Sequence, residues 1–255
     1  KSTAMARTRL FVSTKLAAGA ELQLDREQAR YLGRVLRLRS GDLLHVFNGE
    51  DGEFSARVVS LGNNVASISI DAAVRNESES PLKIHLVQGI SRGERMDFVV
   101  QKATELGVKR ITPVFTRHSV VKLDEKRALK RRDHWRSVAE SACEQSGRVR
   151  PPLIDTPAEL NSWFGAGTDQ TDVDLILQPG APTPLTAIEN PVTKVCLLIG
   201  PEGGFSETEY DDARVAGFDA VSLGPRVLRT ETAALAAIAV AQSHWGDLHA
   251  GPAQT

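Results

Sequence analysis

The 255-residue chain is 41% hydrophobic and 25% charged, which is enough apolar material for a buried core and is not the composition of a disordered chain. Its 31 Lys and Arg against 32 Asp and Glu give a net charge of −1, which taken whole counts against a nucleic-acid partner. The total conceals a gradient, because residues 81–155 hold 16 basic and 9 acidic side chains while residues 156–255 hold 4 and 13.

Cys143 and Cys196 are too few for a disulfide framework and match no metal spacing, so buried thiols in a reducing cytoplasm are expected. No apolar run reaches the roughly 18 residues of a membrane span, and the residues ahead of Met5 have no signal-peptide core. A soluble cytoplasmic protein is the expectation. The histidines (45, 85, 118, 134, 244 and 249) form no HExxH motif, no CxxC pair exists, and Gly-x-Ser-x-Gly is missing, so neither a metal site nor a hydrolase elbow is expected.

In chain order, Arg9–Val12 reads as a strand, and Asp25–Leu36 as a helix with Ala29, Leu32, Val35 and Leu36 on one face. Leu43–Phe47 and Glu53–Val59, joined across Gly49 and Gly52, suggest a hairpin, and Val65–Ile70 alternates as a further strand. This is a small β-barrel or open sheet with one helix. The polar run Asp71–Pro81 is the best candidate linker, which sets domains at 5–75 and 81–250.

Beyond Pro81, strands and helices alternate. Strands are expected at Leu82–Gln88, Arg110–Phe115, Asp174–Gln178, Lys194–Ile199 and Ala220–Leu223. Helices are expected at Glu94–Leu106 with Gly107 as its stop, Lys126–Gln145, Ser206–Ala216 with a Ser206/Glu209 capping box, and Glu231–His244 capped by Thr230 or Thr232. The order implies a parallel α/β sheet with ligands at the carboxyl ends of its strands.

Three constellations could carry chemistry. Gly200-Pro-Glu-Gly-Gly-Phe205 leaves a buried strand for a capped helix; it is either a tight turn or a loop whose backbone approaches a ligand closely, and neither nucleotide fingerprint is met. Leu223–Ala234 repeats that grammar, with Val227 and Leu228 bracketed by Arg226 and Arg229; two such loops on strands of one sheet favour a shared pocket. The third is basic: Arg117, Lys122, Arg131, Arg132, Arg136 and Arg148, with Arg30, Arg34, Arg37 and Arg39 beside Tyr31, fit phosphate contacts or a merely solvated surface.

Four runs resemble the RsmE family of 16S rRNA (uracil-N3)-methyltransferases, of the SPOUT superfamily: Gln101–Val108, Ala142–Arg148 with Pro151-Pro152, Ile199–Ser206 and Leu223–Ala233. The similarity extends to Arg30–Arg37 and Gly41-Asp42, and Cys143 stands where alanine is common. The resemblance implies an α/β methyltransferase domain ending in a trefoil knot, a topology no pattern argument reaches, preceded by a PUA-like β-barrel that helps hold RNA. It implies S-adenosylmethionine held by Leu177, Gln178 and Pro179, by Ile199, Gly200, Pro201, Glu202, Gly203 and Gly204, and by Leu223, Gly224, Arg226, Val227, Leu228, Arg229, Thr230, Thr232 and Ala233. It implies a homodimer that methylates N3 of uridine 1498 of 16S rRNA in the 30S subunit, without a metal. Uracil N3 must lose a proton, so Arg226 or Arg229 is expected to stabilise charge on the uracil oxygens, and Glu202 or Glu231 to orient an arginine or accept the proton. The RNA-binding expectation falls on the nine residues Arg30, Arg34, Arg37, Arg117, Lys122, Arg131, Arg132, Arg136 and Arg148.

Two rivals stay in view. An enzyme using NAD or another nucleotide is disfavoured by the missing fingerprints, and a non-catalytic RNA-binding assembly factor by the intact loops.

Overall fold

Residues 8–62, 64–119, 124–166, 170–189 and 191–249 are described in a computed structural model, in which the chain divides into two units. The first runs up to Glu79 and also takes in Cys143–Arg150. Its sheet contains β1 (Arg9–Phe11), β2 (Glu21–Leu24), β3 (Leu43–Phe47), β4 (Glu53–Leu61) and β5 (Ala66–Val74), in the order β1-β3-β4-β5-β2. Among the described residues of this sheet the β1–β3 pairing is parallel and the other three are antiparallel. Gly49 and Gly52, both at positive φ, turn the β3–β4 hairpin. Alternate residues Leu44, Val46, Ala56, Val58, Ile68 and Ile70 form the core of this unit with Ala29 and Leu32.

The expected helix at 25–36 is α1 (Arg26–Arg30), capped reciprocally by Asp25 and Gln28, and continues as a π-helical turn over Tyr31–Val35. Strand β2 went unforeseen because Glu-Leu-Gln-Leu is short and mostly exposed at a sheet edge.

The run Asp71–Pro81 is not a loose linker. Its first four residues complete β5. Asn76 and Ser78 donate to the Gly147 carbonyl at 3.1 and 2.8 Å. Glu79 accepts from the Val149 and Arg150 amides at 3.1 and 3.0 Å and from Arg148 Nη2 at 3.0 Å. Arg148 therefore does not fit the RNA-contact role given it above: its guanidinium is buried and paired. The buried Arg9 guanidinium lies 4.4 Å from the Phe47 ring centroid and donates to Glu53 and to the carbonyls of Cys143 and Arg148. Cys143 is buried with Phe47 and Val149, as a thiol.

The second unit holds a sheet of β6 (Lys83–Gly89), β7 (Arg110–Phe115), β8 (Leu153–Ile154), β9 (Ala158–Glu159), β10 (Val173–Leu177), β11 (Lys194–Ile199) and β12 (Asp219–Val221). The order is β12-β10-β11-β6-β7-β8, with β9 also on β7, and every pairing is parallel. Both faces are covered, which is why β11 reads as a continuous apolar run after Lys194. Ile84, Leu86, Val195, Leu197 and Ile199 face a core shared with Met96, Val99, Trp135, Ala237 and Ile238, from α2 (Arg95–Glu105), α3 (Glu125–Ser146) and α6 (Thr230–His244). Val87, Cys196 and Leu198 face the opposite core with Trp163 of α4 (Leu160–Gly165) and Tyr210 of α5 (Glu207–Val215). Strands β8 and β9 and helix α4 were not anticipated; two-residue strands leave no periodicity to read.

Candidate active site

A cavity of about 540 Å³ opens at the carboxyl ends of β10, β11 and β12. The end of β10 contributes Leu177, Gln178 and Pro179, the end of β11 contributes Ile199, and the loop that follows contributes Gly200 through Phe205. The loop after β12 contributes Leu223, Gly224 and the run Arg226–Arg229, and α6 contributes Thr230, Glu231 and Ala233. Thr232 is exposed and does not line the cavity, which corrects its assignment to the cofactor set. In an open α/β sheet this is where ligands bind, next to the place where the strand order reverses, here between β11 and β6.

Local chemistry sets these loops. Ser206 caps α5 reciprocally with Glu209, which fixes where the β11 loop must end. Gly204 and Gly224 hold φ of +68° and +84°, where a side chain would be strained. A Cβ at Gly203 would come within 2.8 Å of His118, whose Nδ1 lies 3.0 Å from the Gly203 carbonyl. His118 thus buttresses the loop.

Glu202 accepts from Arg95 Nη1 at 2.7 Å and from the Arg92 amide at 3.1 Å. Partial burial pushes its pKa up, but hydrogen bonds from its own amide, the Arg92 amide and Arg95 outweigh this and hold the carboxyl below its ordinary value. Glu202 therefore stays ionised and orients Arg95, itself a lining residue. Arg226 and Arg229 are exposed along the cavity, and Glu231 is half-buried with an Oε2 that has no partner among the described residues. Neither Thr230 nor Thr232 caps α6. Arg229 occupies that position with no side-chain cap, and Thr230, the first helical residue, donates its hydroxyl to the Gly200 carbonyl at 2.6 Å.

Of the remaining cations, Arg30, Arg34 and Arg37 are exposed on the first unit, and Arg131 and Arg136 on α3. Arg132 is tied to Asp133 at 2.7 Å. Arg117 is exposed, and its amide donates to Glu209. Lys122 lies outside the described residues.

Residues 78–242 match the RNA methyltransferase domain family and residues 24–71 the RNA methyltransferase PUA domain family. The chain is 35% identical over 240 residues to ribosomal RNA small subunit methyltransferase E of Buchnera aphidicola (subsp. Schizaphis graminum), covering 94% of this chain and 97% of the relative. The chain belongs to the ribosomal RNA small subunit methyltransferase E family. The family's enzyme from Neisseria gonorrhoeae, solved bound to S-adenosyl methionine, shares 37% identity at a TM-score of 0.87, over 95% of this chain and 99% of that one. A putative methyltransferase from Legionella pneumophila, in complex with the cofactor SAM, shares 39% identity at a TM-score of 0.90 over the same shares.

All three cavity loops fall inside the methyltransferase match, and the PUA match covers the stretch from the end of β2 through most of β5. That PUA domain, expected as a barrel, pairs its strands in an open order with β1 and β2 at the ends. Sequence reasoning missed Arg95, Phe205, Tyr210, Val221 and Ser222 as cavity residues. A cue for Arg95 was present: Ser91-Arg-Gly-Glu-Arg95 leaves β6 as a glycine-bearing polar loop, just as the two recognised loops leave β11 and β12. No metal-binding group of His, Cys, Asp and Glu occurs among the described residues, and no described helix is long and apolar enough to cross a membrane.

Proposed function

We propose that this chain transfers a methyl group from S-adenosylmethionine to N3 of uridine 1498 of 16S rRNA in the 30S subunit, as a cytoplasmic homodimer whose C-terminal end is tucked into a trefoil knot. The observation that carries this reading is the convergence of three backbone-rich loops on one cavity in a chain of this family. The residues present fit the cofactor. The volume suits a nucleoside-sized ligand, and Leu177, Leu223 and Leu228 offer apolar wall for a heterocycle. Glycines let the β11 loop present its backbone, and Glu202 and Glu231 supply negative charge toward a cationic ligand. When bound, S-adenosylmethionine supplies an electrophilic methyl on a sulfonium.

The protein's own part is to position and to stabilise charge. Arg226 and Arg229 face developing negative charge on the uracil oxygens as the N3 proton departs. Glu231, whose Oε2 has no partner among the described residues, accepts that proton or holds one of the arginines. Exposed cations of the PUA domain and of α3 hold rRNA phosphates.

The test is mass spectrometry of 16S rRNA from a deletion strain. N3-methyluridine should vanish and return with the wild-type gene but not with Arg229→Ala. Full modification without the protein overturns the assignment. Thermal shift should rise with S-adenosylmethionine and not with NAD or ATP.

A further inference from the structure

Gln88, the penultimate residue of β6, lies outside the cavity lining and is completely buried. Its Nε2 donates to Thr230 Oγ1 at 2.9 Å and to the Gly89 carbonyl at 3.1 Å. Thr230 in turn donates to the Gly200 carbonyl at 2.6 Å. A hydroxyl has one proton, and with that proton on Gly200 the threonine accepts from the amide, which fixes the amide's orientation. Gln88 Oε1 is then left buried with no partner among the described residues. An unsatisfied buried acceptor is costly, and a leucine or methionine would fill a core position at a strand end without it. The next residue shows how close the β11 loop comes to this strand: a Cβ at Gly89 would stand 2.5 Å from the Pro201 nitrogen.

We infer that Gln88 is a positioning residue that sets the gap between the two main cofactor loops, acting through Thr230. The chain Gln88–Thr230–Gly200 joins the end of β6, the first residue of α6 and the end of β11. The loop after β12 ends at Thr230, and the loop after β11 begins at Gly200. This inference rests on the S-adenosylmethionine reading given above.

The experiment is calorimetric titration of S-adenosylmethionine and S-adenosylhomocysteine into the wild-type chain and into Gln88→Leu, Thr230→Val, Thr230→Ser and the Gln88→Leu/Thr230→Val pair, alongside the melting temperature of each ligand-free protein. Gln88→Leu and Thr230→Val should each weaken binding by about 10- to 100-fold. The pair should lose no more than the worse single variant, because one link is broken either way. Thr230→Ser, which keeps the hydroxyl, should bind within about threefold of wild type. If either single variant binds within about twofold of wild type, or if the two losses multiply, the positioning role is wrong. A lowered melting temperature with unchanged affinity also overturns it, by showing Gln88 to be an ordinary core residue. If Gln88→Leu fails to fold, Gln88→Met, which keeps the length of the side chain but cannot donate, takes its place under the same criteria. Failure of the wild-type chain to bind either ligand would instead strike down the cofactor reading itself.

Discussion

Arg95 and Glu202 meet at the cavity, Nη1 to Oε1 over 2.7 Å, and join the loop after β6 to the loop after β11. Both side chains are part-exposed, so the pair itself contributes only about 0–1 kcal/mol to folding. Arg95→Ala should therefore leave the melting temperature within about 4 °C. It should lower methylation of small subunits by about tenfold, since a lining cation and the orientation of the loop are both lost. Single-turnover assays checked against melting curves decide this; an unchanged rate would remove Arg95 from the site.

Gly89→Ala forces a methyl group against Pro201, only 2.5 Å from its nitrogen, where there is no room for it. The β11 loop must shift, at about 1–3 kcal/mol of stability. The thermal stabilisation by S-adenosylmethionine should shrink sharply in this variant, which differential scanning fluorimetry measures.

Arg148 and Arg131 should respond in opposite ways. Removing the buried Arg148 takes the charged partner from half-buried Glu79 and empties the guanidinium's site, and Arg148→Ala should cost about 3 kcal/mol in denaturant unfolding. Arg131 and Arg136 are exposed on α3, and their double alanine variant should unfold like wild type while reducing the salt dependence of rRNA binding by about 0.7–0.9 per lost phosphate contact. A salt slope unaltered in the double variant would take α3 out of the RNA interface.

Two carboxylates of the first unit act oppositely on stability against pH. Burial raises the pKa of Glu53, but hydrogen bonds from Arg9, Asn76 and His45 and the Arg9 charge outweigh it, so the net shift is downward. Its contribution is present above its unfolded pKa and is lost as pH falls through the lower folded value. Burial raises Glu144 despite bonds from the Phe11 amide and Tyr31, so the folded chain binds its proton more readily and the contribution grows as pH falls toward the unfolded value. Urea unfolding from pH 7 to 3 should show Glu53→Gln losing part of the acid-side decline. Glu144→Gln should be relatively stabilised at neutral pH, with a steeper decline on acidification.

The sequence by itself determined the α/β class, nine of the twelve strands and helices named in the second unit, and the two glycine-bearing loops. Each is encoded locally, by apolar periodicity, a capping box at Ser206 and Glu209, or a glycine at positive φ. Short elements escaped, because β8, β9 and β2 owe their existence to the neighbours they pair with rather than to their own residues. Side-chain assignments divided in the same way. Arg148 looked like one more cation of a basic run, and only the tertiary structure buries it against Glu79, 69 residues away. Gln88 looked like the end of a strand, and only the fold brings it to Thr230, 142 residues on. The physical reason is that periodicity reports which face of an element is buried, whereas a hydrogen bond between distant residues depends on where whole elements come to rest.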